Sequence, residues 1–312
     1  MSKLSLASLL TFALTVGAYA PAALAVKVTR DPNAPVTAVP PRPQPPAAAI
    51  PAKLPARSAA EIADRNVAAR GGLSAWRAVQ TMTVTGKLDA GGKKDTLLPY
   101  TLQVKRPNKQ RLALQFAGHT AVQVFDGEHG WKLRPYLNRP DPEPFSPDEL
   151  KKALAQQGMD GALIDYAAKG NRVELEGTEM IEGKGTYRLK VTLRDGREQH
   201  IWIDGSTFLE SKVEGDPRRF DGHMRKVETY LRDYRKVEGL TIPFVAETHV
   251  EHVVGGHSMT IEKVVLNQKI EDSAFAKPAA LTAADMPAMP RMVRLGEPLA
   301  PAGAATSTPR TP

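Results

Sequence analysis

The feature that most constrains how this chain folds is a series of short segments in which apolar and polar residues alternate. The clearest is residues 186–204, TYRLKVTLRDGREQHIWID, where every second residue from Tyr187 to Leu193 is apolar. Asp195 and Gly196 in its middle are typical of a tight turn between antiparallel strands. A period of two predicts a hairpin with one apolar face and one polar face.

Similar runs recur along the chain with short turns between them, and they predict about eleven strands. Helical patterns are few, at residues 59–69, at 74–79 and from Ser146-Pro147 onward. Strands that follow one another without helices between them favour one antiparallel sheet. We therefore predict a mainly β (α+β) fold, with a large curved antiparallel sheet covered by two or three short helices.

The apolar face of so many strands is larger than the area that two or three short helices can cover. This mismatch indicates a hydrophobic cavity between the sheet and the helices. A concavity of several hundred Å³ would favour a ligand-binding function, and a filled core would favour a docking function.

The segment LRDYRKVEGLTIPF, residues 231–244, predicts two strands joined by a turn at Glu238-Gly239. Pro243 in the second strand has no backbone N–H to donate, so we expect it at a sheet edge or at a bulge. An open sheet has such an edge, whereas a closed barrel does not.

The composition divides the chain into four segments. Lys3 precedes an apolar run over residues 4–16 and a small-residue stretch that ends in Ala25, a pattern typical of a secretory signal peptide. Long stretches rich in proline and alanine bury too little to order themselves. The predicted segments are the signal peptide at 1–25, a disordered linker at 26–57, one domain at 58–277 and a disordered tail at 278–312.

The sequence contains no cysteine. A bacterial lipoprotein needs a cysteine at its cleavage point and a disulfide-stapled exoprotein needs pairs, so we expect a mature chain that is neither lipidated nor cross-linked. Together with the leader, this predicts a soluble protein of a Gram-negative periplasm. No other segment has the run of about 18 apolar residues that a membrane span requires.

The formal net charge is +8, and the one dense basic cluster lies within residues 218–236. Acidic residues stand among these cations, which is typical of a solvated surface. The alternative is a docking patch for an anionic partner or a lipid headgroup, with Arg218, Arg219 and Arg225 as the candidates. We expect no nucleic-acid partner, because the leader directs the chain out of the cytoplasm and no nucleic-acid motif accompanies the charge.

No sequence pattern typical of catalysis or metal binding is present. The chain lacks GxSxG, P-loop and HExxH motifs. His249 and His252 are three residues apart in a predicted strand, so they point to opposite faces and cannot chelate together. Asp141 and Glu143 lie in a proline-rich loop, which we expect to be a lid or connector. We therefore expect no enzyme activity, no catalytic residue, no metal and no cofactor.

Four stretches, in order, resemble one protein family. They are ARGGLSAWRAVQTMTVTGKL, VFDGEHGW, GTEMIEGKGTYRLKVTL leading to HIWIDGSTFLESKVE, and LRDYRKVEGLTIPF followed by VVLNQKIEDSAFAKP. On these residues the chain resembles the LolA-like family of periplasmic lipoprotein-carrier and outer-membrane lipoprotein-sorting proteins, in its sorting-protein-like branch. The resemblance implies an incomplete β-barrel, or half-barrel, with helices in its mouth and an apolar concave face that takes acyl chains.

The resemblance also implies which side chains line such a cup, although each of them could instead pack as ordinary core under the helices. The expected lining residues are Met82, Val84, Leu102, Val104, Leu112, Leu114, Tyr187, Leu189, Val191, Leu193, Ile201 and Ile203.

The predicted function is that of a periplasmic binding or carrier protein for a hydrophobic or acylated molecule, with lipoprotein sorting toward the outer membrane as the family's role. Its partners would be lipoprotein acyl chains or another lipid, and envelope proteins. The alternative is an envelope interaction or sensor module that docks a protein partner, with the cavity as ordinary core.

Overall fold

The structure is a computed structural model, and it describes residues 54–89, 97–116, 118–137, 139–155, 158–220, 222–253 and 256–282. The predicted signal peptide, most of the predicted linker and most of the predicted tail lie outside the described residues. Within the ranges described, no helix is both long enough and apolar enough to cross a membrane.

Three α-helices and thirteen strands make up the described chain. The α-helices are α1 (Ala59–Ala69), α2 (Leu73–Ala78) and α3 (Pro147–Leu154), with short 3-10 helices at Pro135–Leu137 and Asp272–Phe275. The strands are β1 (Thr81–Asp89), β2 (Leu97–Lys105), β3 (Lys109–Phe116), β4 (His119–Phe125), β5 (Gly130–Arg134), β6 (Arg139–Pro144), β7 (Arg172–Ile181), β8 (Lys184–Thr192), β9 (Glu198–Asp204), β10 (Glu210–Phe220), β11 (His223–Val237), β12 (Leu240–Val250) and β13 (Gly256–Leu266).

All thirteen strands belong to one antiparallel sheet, in the order β6-β5-β4-β3-β2-β1-β13-β12-β11-β10-β9-β8-β7. Pairing of β1 with β13 joins the first six strands to the last seven. In the described chain β6 and β7 each have one neighbour, so the barrel is incomplete. The predicted mainly β fold with an open antiparallel sheet is confirmed, with thirteen strands where about eleven were expected.

The proline-rich loop that we expected to be a lid or connector contains an edge strand instead. Pro140, Pro142 and Pro144 alternate along β6, so the missing N–H groups all lie on one side of the strand. That side faces away from β5, the one neighbour of β6. An edge strand is where a sheet tolerates proline, and the alternation makes this edge a poor template for further pairing.

Of the two positions predicted for Pro243, a sheet edge and a bulge, the structure shows neither. Its strand, β12, lies inside the sheet between β11 and β13. The pairing of β12 with β13 begins only at Val245, opposite Thr260, so the ladder on that side does not require an N–H donor at Pro243. The open edges belong to β6 and β7, at the other ends of the strand order.

The helices cover the concave face of the sheet. Ser58 caps α1 by accepting a hydrogen bond from the Glu61 backbone N–H. The helix start that the serine-proline pair predicted is confirmed at α3, where Ser146 and Glu149 form a reciprocal capping box. The connection from β6 to β7 runs through α3 and a turn segment, residues 158–170, and so links the two open edges.

The folded body extends slightly beyond the predicted boundaries of 58 and 277. Leu54 packs on the apolar cluster under α1, and the Tyr187 hydroxyl donates to the Pro55 carbonyl at 2.8 Å. At the other end, the Leu281 N–H donates to the Pro140 carbonyl of edge strand β6 at 2.9 Å. Composition alone did not indicate that these flanking residues pack.

The junction between α1 and α2 lies directly against the β11–β12 turn. The φ angle of Gly71 is 111°, and a Cβ there would lie 2.3 Å from the Gly239 carbonyl oxygen. The neighbouring Arg70 carbonyl accepts hydrogen bonds from the Thr241 N–H and the Trp76 indole, each at 3.0 Å. Glycine at position 71 is therefore required both for the backbone conformation and for the close approach.

We predict that Gly71→Ala lowers the free energy of unfolding by about 3 kcal/mol, because it adds a steric overlap to an unfavourable φ. Gly72→Ala is the matched control, since Gly72 also has a positive φ, of 90°, but nothing lies within 4 Å of its added methyl group. The control should cost about 1 kcal/mol. Urea unfolding measures both, and equal losses would show that the approach to Gly239 is not tight.

Candidate functional site

The concave face of the sheet carries two apolar clusters. The larger joins β1, β2, β3, β12 and β13 to α2 and α3. The smaller joins β8 and β9 to α1 and to the turn segment 158–170. We call the concave face the cup, and the combination of α2, α3 and residues 158–170 its cover.

All twelve side chains predicted to line the cup are buried, but they divide between the two clusters. The larger cluster contains Met82, Val84, Leu102, Val104, Leu112 and Leu114. The smaller contains Tyr187, Leu189, Val191, Leu193, Ile201 and Ile203, packed beneath α1. Contact of any of them with a ligand stays a prediction.

A cavity of about 50 Å³ lies within the larger cluster. Three of the predicted residues, Met82, Val84 and Leu102, line it. The other lining residues are Arg70, Trp76, Tyr100, Met159, Ile242, Pro243, Ala246, Met259 and Ile261. The alternation of Ile242, Phe244 and Ala246 in β12 was a signal that could have identified part of this set.

The small size of this cavity shows that side chains fill most of the cup. Pockets that hold drug-sized ligands measure roughly 300 to 1,000 Å³, several times the volume present. Three methionines, Met82, Met159 and Met259, contribute to the lining from β1, the turn segment and β13. Unbranched methionine side chains repack easily, so this lining can change shape more readily than one of branched residues.

A buried ion pair lies at the cavity wall. Arg70 follows the last residue of α1 and is 5% exposed, and its Nη1 lies 3.1 Å from Glu210 Oε1. The same nitrogen donates to the Asp160 carbonyl of the cover, and the guanidinium carbon lies 4.5 Å from the Trp76 ring centroid. The Tyr234 hydroxyl donates to Glu210 Oε2 at 3.1 Å. These contacts tie α1, the cover, β10 and β11 together.

A second polar group attaches the cover to the opposite side of the cup. The buried Asp160 carboxylate accepts from Arg106 Nη2 at 2.9 Å and from Lys169 Nζ at 2.6 Å. Arg106 also donates to the carbonyls of Val79 and Trp76, at the end of α2. The turn segment 158–170 is therefore attached by side-chain hydrogen bonds and by its buried apolar residues, and it is not part of the strand ladder.

The third part of the cover, α3, is held at its first turn. Lys132 Nζ lies 2.6 Å from Glu149 Oε1, and Glu149 also accepts from the Ser146 N–H. Burial opposes ionisation of Glu149, but the donors from Lys132 and Ser146 outweigh it and hold the pKa of this carboxyl below its ordinary value. The charged pair fixes α3 to β5.

Burial shifts the ionisation of three side chains in and around the cup. It raises the pKa of Tyr100, which lines the cavity, above the ordinary value of 10.0. Burial, with the Glu210 carboxylate as a further cause, raises the pKa of Tyr234 well above that value. Burial lowers the pKa of Lys169, and the Asp160 carboxylate opposes that shift.

The predicted docking residues lie far from the cup. Arg218, Arg219 and Arg225 are all on the β10–β11 hairpin, where Arg218 stands directly opposite Arg225 in the strand pairing. The helix junction packs at the other end of the 15-residue strand β11, near Gly239. Docking at these arginines stays a prediction.

The histidines considered for metal binding do not converge in the described chain. His249 lies in β12 against the Tyr230 ring, and His252 lies in the turn that follows β12. Among the residues that the structure describes, no three side chains of His, Asp or Glu are arranged to hold a metal ion.

No family model matches this sequence, and no curated protein is similar enough to count as a match. Solved structures do match. A LolA superfamily protein from Nitrosomonas europaea is 16% identical with a TM-score of 0.48, over 71% of this chain and 99% of that one. A DUF1329 family protein from Desulfovibrio piger is 12% identical with a TM-score of 0.47, over 70% of this chain and 97% of that one.

The thirteen-stranded open sheet with three helices is consistent with a LolA-like incomplete barrel. The open antiparallel sheet with helices across its concave face is the architecture that the sequence resemblance implied. At these sequence identities the likeness concerns the fold alone.

We predict that Arg70→Met lowers the free energy of unfolding by about 3 to 5 kcal/mol, because it leaves the Glu210 carboxylate buried without its cation. The double variant Arg70→Met/Glu210→Gln should recover about 2 kcal/mol of that loss. Arg77→Met is the control, since the Arg77–Asp165 pair is exposed and should contribute less than about 1 kcal/mol. Chemical denaturation measures the cycle, and no recovery in the double variant would contradict the coupling.

We predict that stability falls as the pH rises above 10. The folded protein keeps the phenols of Tyr100 and Tyr234 protonated while the unfolded chain loses those protons, so each raised pKa stabilises fully below pH 10 and progressively less above it. The slope is about 1.4 kcal/mol per pH unit for each tyrosine. Denaturant unfolding of wild type and Tyr100→Phe/Tyr234→Phe at several alkaline pH values isolates this contribution from that of Lys169, and equal slopes would contradict it.

Proposed function

We propose that this protein binds a hydrophobic or acylated molecule in the cup and carries it through the aqueous periplasm. The observation that supports this is an apolar cavity, on the concave face of an open sheet, beneath a cover attached by polar side chains. Each CH₂ group of an acyl chain gains about 0.8 kcal/mol on leaving water. A concave apolar face therefore suits such a ligand without any directional contact.

The closed cup is what an unloaded carrier should adopt. Apolar surface costs about 25 cal/mol per Å² when it is exposed to water, so a large empty cavity would be unfavourable. A ligand would enter by displacing the cover and would replace the contacts between the cover and the sheet. The flexible Met159, on the turn segment, lies at the interface that would have to separate.

The attachments of the cover suit reversible opening. Arg106 and Lys169 hold Asp160 through hydrogen bonds that water can replace, because both cations are partly exposed. Opening at these contacts need not break any pair of the strand ladder.

Lipoprotein sorting toward the outer membrane is the finer form of this proposal. It is supported by the LolA-like fold together with the predicted secretory leader and the absence of cysteine from the sequence. A carrier of this kind needs no catalytic group, and we propose no enzymatic step.

A second candidate function is an interaction or sensor module that docks an envelope protein, with the cup as ordinary core. The observation that favours it is the small volume of the cavity, about 50 Å³. The two functions differ in whether the cup ever accepts a ligand.

We predict that the protein binds a fluorescent acyl probe such as parinaric acid and that Met159→Glu weakens binding at least tenfold, because a carboxylate in the cavity is costly to desolvate. The matched control is Met180→Glu, which makes the same substitution at a β7 side chain that is 39% exposed. The control should bind as wild type does. Fluorescence titration measures affinity, and circular dichroism verifies that each variant is folded.

Native mass spectrometry of the protein purified from its host provides a second readout, since a carrier should retain lipid. If wild-type protein binds no acyl probe and carries no lipid, the docking module is the better description. If Met159→Glu and Met180→Glu bind the probe equally, the ligand does not occupy this cup.

A further inference from the structure

Strands β10 and β11 extend beyond both of their neighbours. Pairing of β10 with β9 ends at Val213, and pairing of β11 with β12 ends at Val227. Beyond these points the two strands pair only with each other, as far as Phe220 opposite His223. We call the described part of this projection, residues 216–220 and 222–226, the finger.

The finger has a fixed base. Asp216 accepts from Arg197 Nη1 at 2.9 Å, which ties it to the residue that precedes β9. On the other strand, the Lys226 carbonyl accepts from the Glu251 N–H at 2.9 Å. The projection is therefore a continuation of the sheet and not a separate loop.

The tip of the finger exposes large apolar side chains on both of its faces. Phe220 is 45% exposed and Met224 is 58% exposed. Phe220 pairs with His223, and Met224 pairs with Arg219, so the two apolar side chains point to opposite faces of the two-stranded ribbon. A protein partner ordinarily meets one face of a ribbon, whereas a lipid interface surrounds an inserted tip.

Four cations share the two strands of the finger with these apolar side chains, and one of them, Arg218, has an acidic neighbour in Asp216. Arg218, Arg219, Arg225 and Lys226 make no ion pair with any residue that the structure describes. Arg218 faces Arg225 across the strands, a like-charge arrangement that is unfavourable in isolation. An anionic surface would neutralise all four charges and so remove this repulsion.

We propose that the finger docks this protein on a membrane surface rich in anionic lipid, with Phe220 and Met224 inserted among the headgroups and the four cations bound to lipid phosphates. Apolar and aromatic residues next to Lys and Arg are the composition of interfacial anchors. The finger and the helix junction that closes the cup lie at opposite ends of β11. The proposal therefore does not depend on what the cup binds.

The experiment is co-sedimentation of vesicles with the protein purified from its host, without added acyl ligand. Wild type should bind vesicles of phosphatidylglycerol and phosphatidylethanolamine at low ionic strength and should not bind phosphatidylcholine vesicles. Each cation near an anionic surface contributes about a fivefold gain in binding. Arg218→Gln/Arg219→Gln/Arg225→Gln should therefore bind on the order of 100-fold more weakly.

The matched control removes three exposed cations elsewhere, as Arg172→Gln/Lys236→Gln/Lys263→Gln, on β7, β11 and β13. It should bind within about threefold of wild type, because none of its charges lies on the finger. The two triple variants have the same net charge, so a difference between them reports the position of the charges. Equal losses in both would overturn the proposal.

A second arm tests insertion. Phe220→Ser/Met224→Ser keeps the cations and should bind about tenfold more weakly. Phe220→Trp adds an indole at the tip. When anionic vesicles are added, we expect the fluorescence emission of this variant to shift to shorter wavelength by more than that of wild type. If wild type fails to bind anionic vesicles, or if the introduced indole keeps the emission of a water-exposed one on them, the finger serves a protein contact or none, and the proposal is wrong. Parinaric acid binding by the finger variants should match wild type, so failure here is distinct from failure of the carrier function.

Discussion

The structure depends on the contact between the α1–α2 junction and the β11–β12 turn. The apolar face of the sheet is stable in water only if helices cover it, and the junction determines where they lie. Gly71 allows the two backbones to touch at Gly239, and the Arg70–Glu210 pair adds a charged contact beside them. Since a buried charge without its partner is costly, this pair defines one position for the helices more than it adds net stability.

The same arrangement separates two kinds of contact within the cup. Contacts between methionine, leucine and valine side chains are non-directional, so they accept another apolar group in place of the one they lose. Contacts of Asp160 with Arg106 and Lys169 have fixed geometry and lie at the rim. A cover built in this way has one closed position, and a bound acyl chain could replace most of its apolar contacts.

Much of the fold was predictable because it follows from local patterns. The period-two alternation identified the strands and their buried faces. Trp202, which alternates with Ile201 and Ile203, donates to Glu179 on the polar side of the sheet, at 2.6 Å. Pairing is non-local, however, and only the neighbours in the strand order show that β12, with its proline, lies inside the sheet.

The candidate site was less predictable for the same reason. Alternation indicates which side chains face the concave side, but not which strands meet at one cavity. Two strands of the cavity wall, β12 and β13, became neighbours of β1 and β2 only through the β1–β13 pairing. The role of Arg70 depends on Glu210, 140 residues away.

The basic cluster likewise divides in space, since Arg232 pairs with Glu182 and Glu247 and Arg235 pairs with Asp233. The predicted solvated surface thus describes the second half of the cluster, which contains Arg232 and Arg235. The cations of the first half form no ion pair with residues that the structure describes, and they give the finger its charge.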